Sequence, residues 1–158
     1  MIEPRTVGIA QIAICHAPEQ LTCLGLGSCV AVILYDSGTR TGGIVHVLLP
    51  HAPARCDREE KYADTGTRKL IREMIGCGIR KERLVAKLVG GAQMFPGLNI
   101  AIANIGRENS MTARSVLREH SIRVVAEELE GNRGRSALFD STTGHVTVRT
   151  AFSPTKVI

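Results

Sequence analysis

The sequence predicts an α+β fold or layered sandwich, with mostly antiparallel or mixed sheets and two main helices. Three observations support this prediction. Several short segments are apolar and rich in β-branched residues, as strands are. Two longer segments have the apolar spacing of amphipathic helices. Many of the strand-like segments follow one another across short turns, which favours antiparallel hairpins.

The strand-like segments include one pair that is predicted to form a hairpin. The segment 28–35 is continuously apolar, which is typical of a strand buried on both faces. A turn signal at 36–38 separates it from the apolar segment 42–49, which Pro50 ends. The predicted strands span residues 6–14, 28–35, 42–49, 84–89, 122–129, 136–140 and 146–150, and residues 21–26 form either a short strand or an extended segment.

Two helices are predicted between the strands, over residues 61–77 and 105–120. The first is closed by Gly76 and Gly78, because glycine readily adopts the conformation that ends a helix. Its apolar face comprises Tyr62, Leu70, Met74 and Cys77. A polar loop precedes it, and a Gly-Gly break follows the strand at 84–89.

Length and composition fit one domain over residues 1–158. Apolar residues make up 44% and charged residues 22%, which allows a sizeable core and disfavours disorder. The net charge is +5, so the surface is either basic without a specific partner or suited to an acidic protein. Nucleic acid is disfavoured as a partner because aromatics make up only 3% and no dense Lys/Arg run is present.

Cysteine usage indicates a reducing compartment and no metal site. The five cysteines are an odd number and no secretory signal opens the sequence, so we expect a cytoplasmic protein without structural disulfides. Cys15 and His16 are adjacent rather than spaced to converge on one ion, and no C-x-x-C occurs. No apolar run approaches the ~18 residues of a membrane span, so no membrane insertion is expected.

The segment 24–29 (LGLGSC) is a candidate site for a nucleophile. Its two glycines leave the backbone free to adopt unusual conformations and expose their N–H groups. Cys29 follows at the mouth of a predicted strand, where the N–H groups near Gly27 and Ser28 can receive an oxyanion. The alternative is a buried cysteine that packs as a small apolar side chain, as most free cysteines do.

His46 lies inside the second strand of the predicted hairpin and is the candidate base. A lone histidine in an apolar strand is more often a core residue bonded to backbone. The short turn, however, places the start of the first strand beside the end of the second, so Cys29 and His46 can approach each other. A Cys–His pair supplies a nucleophile and the base that activates it.

These residues belong to a longer pattern that resembles the CheD family, the chemoreceptor glutamine deamidases of bacterial and archaeal chemotaxis. The most specific part is LGLGSCVAV, followed by the strand that carries His46 and ends HVLLP. Further matching motifs are, in order, KYAD at 61–64, GGAQM at 90–94, NIG at 104–106 and GNRGRS at 131–136. The resemblance runs over nearly the whole sequence.

The resemblance implies a layered α/β/β sandwich of the cysteine-hydrolase type and deamidation of chosen glutamines without a cofactor. The substrate it implies is the cytoplasmic domain of a chemoreceptor, which is a protein partner. A second implied partner is a CheC-type phosphatase, and we expect a monomer when the protein is free. The nucleophile of the family falls on Cys29 and its histidine on His46.

The third catalytic position departs from the family pattern. Relatives carry a threonine six residues before the nucleophile, and here that position is Cys23. Thr22 precedes it, but adjacent side chains of an extended segment point to opposite faces. A thiol is also a weaker hydrogen-bond partner than a hydroxyl. The sequence therefore leaves open whether Cys23 or Thr22 orients His46.

Two surface segments have open interpretations. GNRGRS is either a solvated turn or an edge of the partner surface, with Arg133 and Arg135 meeting acidic receptor helices. After NIG, several relatives place an arginine two residues on, whereas here Arg107 comes one residue after and Glu108 takes that place. We expect this shift to alter the surface around the site more than the chemistry.

Three functional hypotheses follow from the sequence. The first is a thiol-dependent protein-glutamine deamidase acting in chemotaxis adaptation. The second is a binding protein with weak or no deamidation that stimulates a CheC-type phosphatase, and Cys23 in place of the threonine favours it. The third, a redox or metal protein built on the five cysteines, is disfavoured by their spacing.

Overall fold

The computed structural model describes residues 2–95, 97 and 104–158. In that part of the chain it contains ten strands and two α-helices, together with two short 3₁₀ turns. The strands are β1 (Arg5–Thr6), β2 (Ile12–His16), β3 (Gln20–Leu26), β4 (Val30–Asp36), β5 (Thr41–Val47), β6 (Val85–Gly90), β7 (Arg123–Leu129), β8 (Arg135–Asp140), β9 (Val146–Thr150) and β10 (Lys156–Val157). The helices are α1 (Ala63–Gly76) and α2 (Ile105–Glu119).

The strands form two five-stranded mixed sheets. The outer sheet has the order β1-β3-β8-β9-β10, and the central sheet has the order β2-β5-β4-β6-β7. The pairs β1–β3 and β6–β7 are parallel, and the other pairs are antiparallel. The predicted hairpin of β4 and β5 is confirmed, with Val30 opposite Val47 and Asp36 opposite Thr41.

Alternation of side chains along β4 builds two apolar cores, one on each face of the central sheet. Val30, Val32 and Leu34 pack with α1 and α2 in the first core. Ala31 and Ile33, on the opposite face, pack with the outer sheet in the second core. Every residue of β4 and β5 is buried, as the continuous apolar run predicts. The predicted α+β sandwich is therefore confirmed, with its layers in the order helices, central sheet, outer sheet.

The N-terminal segment differs from the prediction of one strand over residues 6–14. It contains two short strands, β1 and β2, in different sheets, joined by a loop at 7–11. Ala10 has φ +59° in this loop, a conformation that a continuous strand does not contain. The loop is stabilised locally, because the N–H of Gly8 donates to Oε1 of Gln11 at 2.8 Å.

Two smaller differences have local causes. The first helix begins at Ala63 rather than 61, because Glu59–Lys61 form a 3₁₀ turn and Tyr62 is extended, with φ −115° and ψ 142°. The sequence predicts no separate strand at β1 or at β10, and each has only two residues. Such a segment is too short to show the alternation by which a strand is recognised.

Candidate active site

Cys29 lies at the entrance of β4, where backbone hydrogen bonds fix its segment. The carbonyl oxygens of Gly27, Ser28 and Cys29 all accept hydrogen bonds. The N–H of Ala92 donates to Gly27 at 2.8 Å, and the N–H of Gly91 donates to Cys29 at 2.8 Å. Nδ2 of Asn109 donates to Ser28 at 2.9 Å. The thiol is nearly buried, since Cys29 is 6% exposed. The backbone that carries the candidate nucleophile is therefore anchored at three successive peptides.

The backbone at position 90 passes so close to Cys29 that only glycine fits there. Gly90 has φ +119°, and a Cβ there would lie 2.2 Å from the carbonyl oxygen of Cys29. Gly91 follows with φ +64°, and a Cβ there would lie 2.2 Å from Oγ of Ser110. No other residue fits either position without displacing the backbone or side chain beside it. The two glycines at the end of β6 thus allow the backbone to pass close beside the candidate nucleophile.

Strand register places the side chains of Cys29 and His46 on the same face of the central sheet. His46 is opposite Ala31 in the β4–β5 ladder, and Val47 is opposite Val30. Cys29 is one residue before Val30, so it shares the face of Ala31 and His46. This relation makes Cys29 and His46 diagonal neighbours across the strand pair, and such neighbours are typically about 7–8 Å apart.

The imidazole of His46 is held by its Nδ1 atom and leaves Nε2 free. Nδ1 lies 3.0 Å from the carbonyl oxygen of Val7. A carbonyl oxygen only accepts hydrogen bonds, so Nδ1 carries the proton and donates it. Nε2 is buried and has no hydrogen-bond partner in the described part of the chain. In the neutral ring, Nε2 therefore bears the lone pair that a general base needs.

Burial shifts the titration of both residues toward their neutral forms. It raises the pKa of the Cys29 thiol, although the backbone N–H of the same residue acts in the opposite direction. It lowers the pKa of His46, against the effect of the hydrogen bond to Val7. In both cases the low-dielectric surroundings disfavour the charged form. Both pKa shifts therefore favour the uncharged thiol and the uncharged imidazole at neutral pH.

Cys23 and Thr22 occupy opposite faces of β3. Cys23 is fully buried and packs in the same core cluster as Cys29. Burial, followed by the charge of the nearby Cys29 thiolate, raises the pKa of Cys23 to about 12. The hydroxyl of Thr22 instead donates to the carbonyl oxygen of Ala137 at 3.0 Å. The partner of Nδ1 in this structure is thus the Val7 carbonyl, and a role for either side chain in orienting His46 stays a prediction.

The backbone N–H groups of Ser28 and Cys29 are candidate donors to an oxyanion. Within residues 2–95, 97 and 104–158 the N–H of Ser28 donates to no other backbone group, and the N–H of Cys29 interacts with the thiol of its own residue. Gly27, just before them, is partly exposed and borders the side chain of Met94, whose Cγ lies 3.1 Å from the position of an added Cβ. Free N–H groups next to a nucleophile are the usual components of an oxyanion site.

A cleft of about 430 Å³ lies beside this segment and is bordered by Gly91, whose N–H contacts Cys29. It is lined by Gly91, Gln93, Asn104, Arg107, Glu130, Gly131 and Asn132. Residues of three motifs, GGAQM, NIG and GNRGRS, therefore meet at one place. Arg107, which is shifted by one position from the arginine of several relatives, lies in this lining.

The two arginines of GNRGRS have different surroundings. Arg135 is 8% exposed, and its guanidinium donates to the carbonyl oxygens of Glu128, Glu130 and Arg133. It therefore closes the turn between β7 and β8 from inside, and only a small part of its side chain is exposed to meet a receptor helix. Arg133 is exposed and donates to the carbonyl of Ala151, so only this arginine remains available at the surface.

Two groups in the site were missed at the level of sequence. The Val7 carbonyl is a backbone atom, so residue type gives no signal for it. Asn109 does give a signal, because it falls on the buried stripe of α2 together with Ala113, Val116 and Leu117. A polar amide at such a position calls for partners, and here it donates to Ser28 and Leu48.

The described residues contain no cluster of three or more His, Cys, Asp or Glu side chains that could hold a metal ion. All five cysteines are free thiols. Among the helices that the structure describes, none combines the length and apolar character needed to cross a membrane.

Comparison with known proteins gives consistent matches along the chain. A family model described as CheD chemotactic sensory transduction matches residues 48–150. A protein of Desulforamulus reducens named probable chemoreceptor glutamine deamidase CheD is 46% identical over 155 residues, which cover 96% of this chain and 93% of the relative. A protein of the same name from Pyrococcus horikoshii is 43% identical, with 90% of each chain covered.

A relative from Thermotoga maritima is named chemoreceptor glutamine deamidase CheD. It is 38% identical over 145 residues, which cover 92% of this chain and 90% of the relative. These identities extend over nearly the full length of both chains, and they agree with the match to the family model. The two findings together establish the family. The chain belongs to the CheD family.

Proposed function

We propose that this protein deamidates glutamine side chains on the cytoplasmic domains of methyl-accepting chemotaxis receptors, with Cys29 as nucleophile and His46 as base. The observation that carries the proposal is the state of His46. Its Nδ1 donates to a backbone carbonyl, while its buried Nε2 has no partner in the described chain and shares a sheet face with Cys29. The names of the relatives indicate the reaction and the class of substrate.

The first half of the reaction is acyl transfer to the thiol. Nε2 of His46 removes the proton from Sγ of Cys29 as Sγ attacks the side-chain carbonyl carbon of glutamine. The carbonyl oxygen gains negative charge, which the N–H groups of Ser28 and Cys29 stabilise. His46 then returns its proton to the amide nitrogen, the C–N bond breaks and ammonia leaves. A thioester on Cys29 remains.

The second half is hydrolysis of the thioester. His46, neutral again, removes a proton from water, and the hydroxide attacks the same carbonyl carbon. The C–S bond breaks, Cys29 regains its proton from His46, and the carboxylic acid that is released loses its proton to solvent to give glutamate. Each turnover adds one negative charge to the receptor. No cofactor is needed in this scheme, because the nucleophile and the base are both side chains of the protein.

We assign the orientation of His46 to the Val7 carbonyl, which takes the part of a third catalytic member. A triad needs a group that holds the imidazole in the correct tautomer, and a backbone oxygen does this as well as a side chain. Cys23 then acts by packing beside the thiol, and Thr22 acts through its backbone, since its carbonyl accepts the N–H of Val7 at 2.8 Å.

The resemblance to the family also supports a CheC-type phosphatase as a second partner, a cytoplasmic location and a monomeric free protein. The presence of Cys23 in place of threonine favours the alternative function, in which the protein stimulates this phosphatase with weak or no deamidation. If phosphatase stimulation is the main function, a folded Cys29→Ala protein should stimulate the phosphatase and the wild type should convert little receptor. Parallel assays of both activities on the two proteins separate these roles.

The proposal is tested by incubating the protein with a purified receptor cytoplasmic fragment and following the conversion of glutamine to glutamate by peptide mass spectrometry. We expect conversion at specific glutamines with release of ammonia. Cys29→Ala and His46→Ala should each abolish it, because no other route to the thioester exists. Circular dichroism provides the check that both variants fold. Wild-type conversion by a folded Cys29→Ala protein would overturn the mechanism.

A further inference from the structure

We propose that Asn109 of α2 is a positioning residue that sets the distance between Cys29 and His46. This inference rests on the proposed function, because it assigns the residue to the geometry of that site. The side-chain amide nitrogen of Asn109 donates to the carbonyl oxygen of Ser28 at 2.9 Å and to that of Leu48 at 3.0 Å. Asn109 is fully buried.

The two acceptors flank the two candidate catalytic residues. Ser28 is the residue before Cys29, and Leu48 is two residues after His46. The β4–β5 ladder has its last pair at Val30 and Val47, just inside these positions. Beyond that pair, one planar amide bridges the two strands where backbone pairing stops. The spacing between the strand ends that carry Cys29 and His46 therefore depends on Asn109.

The side-chain oxygen of Asn109 is evidence that this residue does more than pack in the core. Oδ1 of Asn109 is buried and has no hydrogen-bond partner within the part of the chain that the structure describes. An unpaired buried oxygen destabilises a fold, and an apolar side chain at this helix position would avoid it. The amide is retained for its two N–H donors, both of which act on the segments of the candidate site.

Loss of Asn109 should affect the chemistry by changing the positions of the reacting atoms. The carbonyl of Leu48 has no strand partner to hold it, and the N–H of Leu48 donates away from the site to the carbonyl of Lys61 at 2.8 Å. Without Asn109, the ends of β4 and β5 separate, and Sγ of Cys29 moves relative to Nε2 of His46. Small displacements of reacting groups reduce rates strongly, because proton transfer and attack need near-contact geometry.

The test uses the full chain with Asn109→Leu, which removes both donors, and Asn109→Ser, which keeps one short donor. Ser110→Ala is the matched control, since Ser110 is the next residue of α2, is buried, and its hydroxyl donates only to the carbonyl of Gly106 in its own helix at 3.0 Å. His46→Ala marks the rate without the base. The first measurement is the rate of Cys29 alkylation by iodoacetamide as a function of pH, resolved by peptide mass spectrometry. The second is kcat and KM for a receptor fragment.

We expect Asn109→Leu to lower the alkylation rate at neutral pH and kcat by about tenfold each, with KM within about twofold of wild type. Its alkylation profile should move to higher pH, toward that of His46→Ala, because the thiol must then ionise without help from the imidazole. The alkylation rate and kcat of Asn109→Ser should lie between those of wild type and of Asn109→Leu. Both quantities for Ser110→Ala should match wild type. Partial unfolding alone would expose the buried thiol of Cys29 and raise its alkylation rate, which is opposite to the expected change.

The inference is overturned if either folded Asn109 variant has the alkylation profile and kcat of Ser110→Ala, or if its loss is the same at every pH. Should Asn109→Leu fail to fold, the Asn109→Ser profile decides by the same criteria. The alkylation measurement needs no substrate. A shifted alkylation profile in a protein whose wild type deamidates no receptor would therefore reject the proposed function while supporting the positioning role.

Discussion

His46 is held by one loop, at 7–11, through its ring and through its backbone. Its Nδ1 donates to the carbonyl of Val7, its N–H donates to the carbonyl of Gln11 at 3.1 Å, and its own carbonyl accepts the N–H of Ala10 at 2.8 Å. These contacts fix the position of the strand and the orientation of the imidazole together. A third catalytic side chain is therefore not needed to select the tautomer.

This arrangement predicts the effect of changes at Cys23. Cys23→Val should keep kcat within about twofold, because valine has a similar size and the Val7 carbonyl still holds Nδ1. Cys23→Thr should behave in the same way. Deamidation of a receptor fragment measures the rates, and urea unfolding checks the fold. If Cys23→Val instead lowers kcat by about tenfold, the thiol makes the hydrogen bond that orients His46.

Thr22→Val is the companion variant and should affect stability rather than rate. It removes the hydrogen bond from Oγ1 to the carbonyl of Ala137, which joins β3 to β8 on the face opposite Cys23. The free energy of unfolding should fall by about 0.5–1.5 kcal/mol, the usual net contribution of such a bond.

At the scale of elements, the turn after β6 connects the candidate site to α2. Gly90 and Gly91 allow β6 to leave the central sheet directly beneath the carbonyl of Cys29. Gly106, in the first turn of α2, continues this close packing, since a Cβ there would lie 2.5 Å from the carbonyl oxygen of Ala92. Three glycines of two sequence motifs thus permit one close contact between a strand end, a turn and a helix.

This contact predicts a large effect of Gly90→Ala. The substitution combines a left-handed φ of +119° with a Cβ placed 2.2 Å from the Cys29 carbonyl. The free energy of unfolding should fall by roughly 2–5 kcal/mol, from backbone strain and overpacking together. Urea unfolding measures this, and Cys29 alkylation should change as well. Gly76→Ala is the matched control, since nothing lies within 4 Å of its added Cβ. Equal stability of the two variants would contradict the close contact.

At the scale of the whole molecule, the candidate site lies between the two sheets, in the second apolar core. Cys15, Cys23 and Cys29 all belong to that core, and His46 is 1% exposed. Burial raises the pKa of each of these thiols and lowers the pKa of His46. The stability of the protein should therefore depend on pH through groups that belong to the site.

The directions of these pKa shifts define the pH range in which the protein is most stable. The pKa of His46 is lowered from 6.5, so its contribution is complete above pH 6.5 and is lost as the pH falls through the lowered value. The pKa of Cys23 is raised from 9.0 to about 12, so its contribution is complete below pH 9.0 and is lost as the pH rises toward 12. Urea unfolding at about pH 5, 7.5 and 10 should give the highest free energy at the middle value. Cys23→Val should reduce the alkaline loss, and a wild-type value that still rises at about pH 10 would contradict this account.

The net charge makes a second prediction at this scale. With a charge of +5, binding to an acidic receptor fragment should weaken as salt is added, because exposed charges are screened. Titration calorimetry at low and at physiological ionic strength measures the dissociation constant. Exposed Arg133 should contribute to this dependence, so Arg133→Gln should reduce it, while an affinity that does not change with salt would show that charge has no part in docking.

The sequence by itself determined both described helices, most of the strands and which side chains are the candidates for chemistry. Periodicity and turn signals are local, so they located the hairpin of β4 and β5 and both helices to within two residues. The same hairpin put Cys29 and His46 within reach of one another, because a short turn leaves few registers. Motif order along the chain indicated the family.

The tertiary structure decided what holds the candidate site together. The Val7 carbonyl, the Asn109 amide and the Gly90 turn come from three distant parts of the chain, and each acts through backbone geometry or through packing between layers. A carbonyl oxygen has no residue-specific signal, and a loop inside an apparently continuous apolar segment is selected by the contacts it makes with β5. The strand pattern identified the candidate pair, while the N-terminal loop, the glycine turn and α2 come together around that pair only in the folded protein.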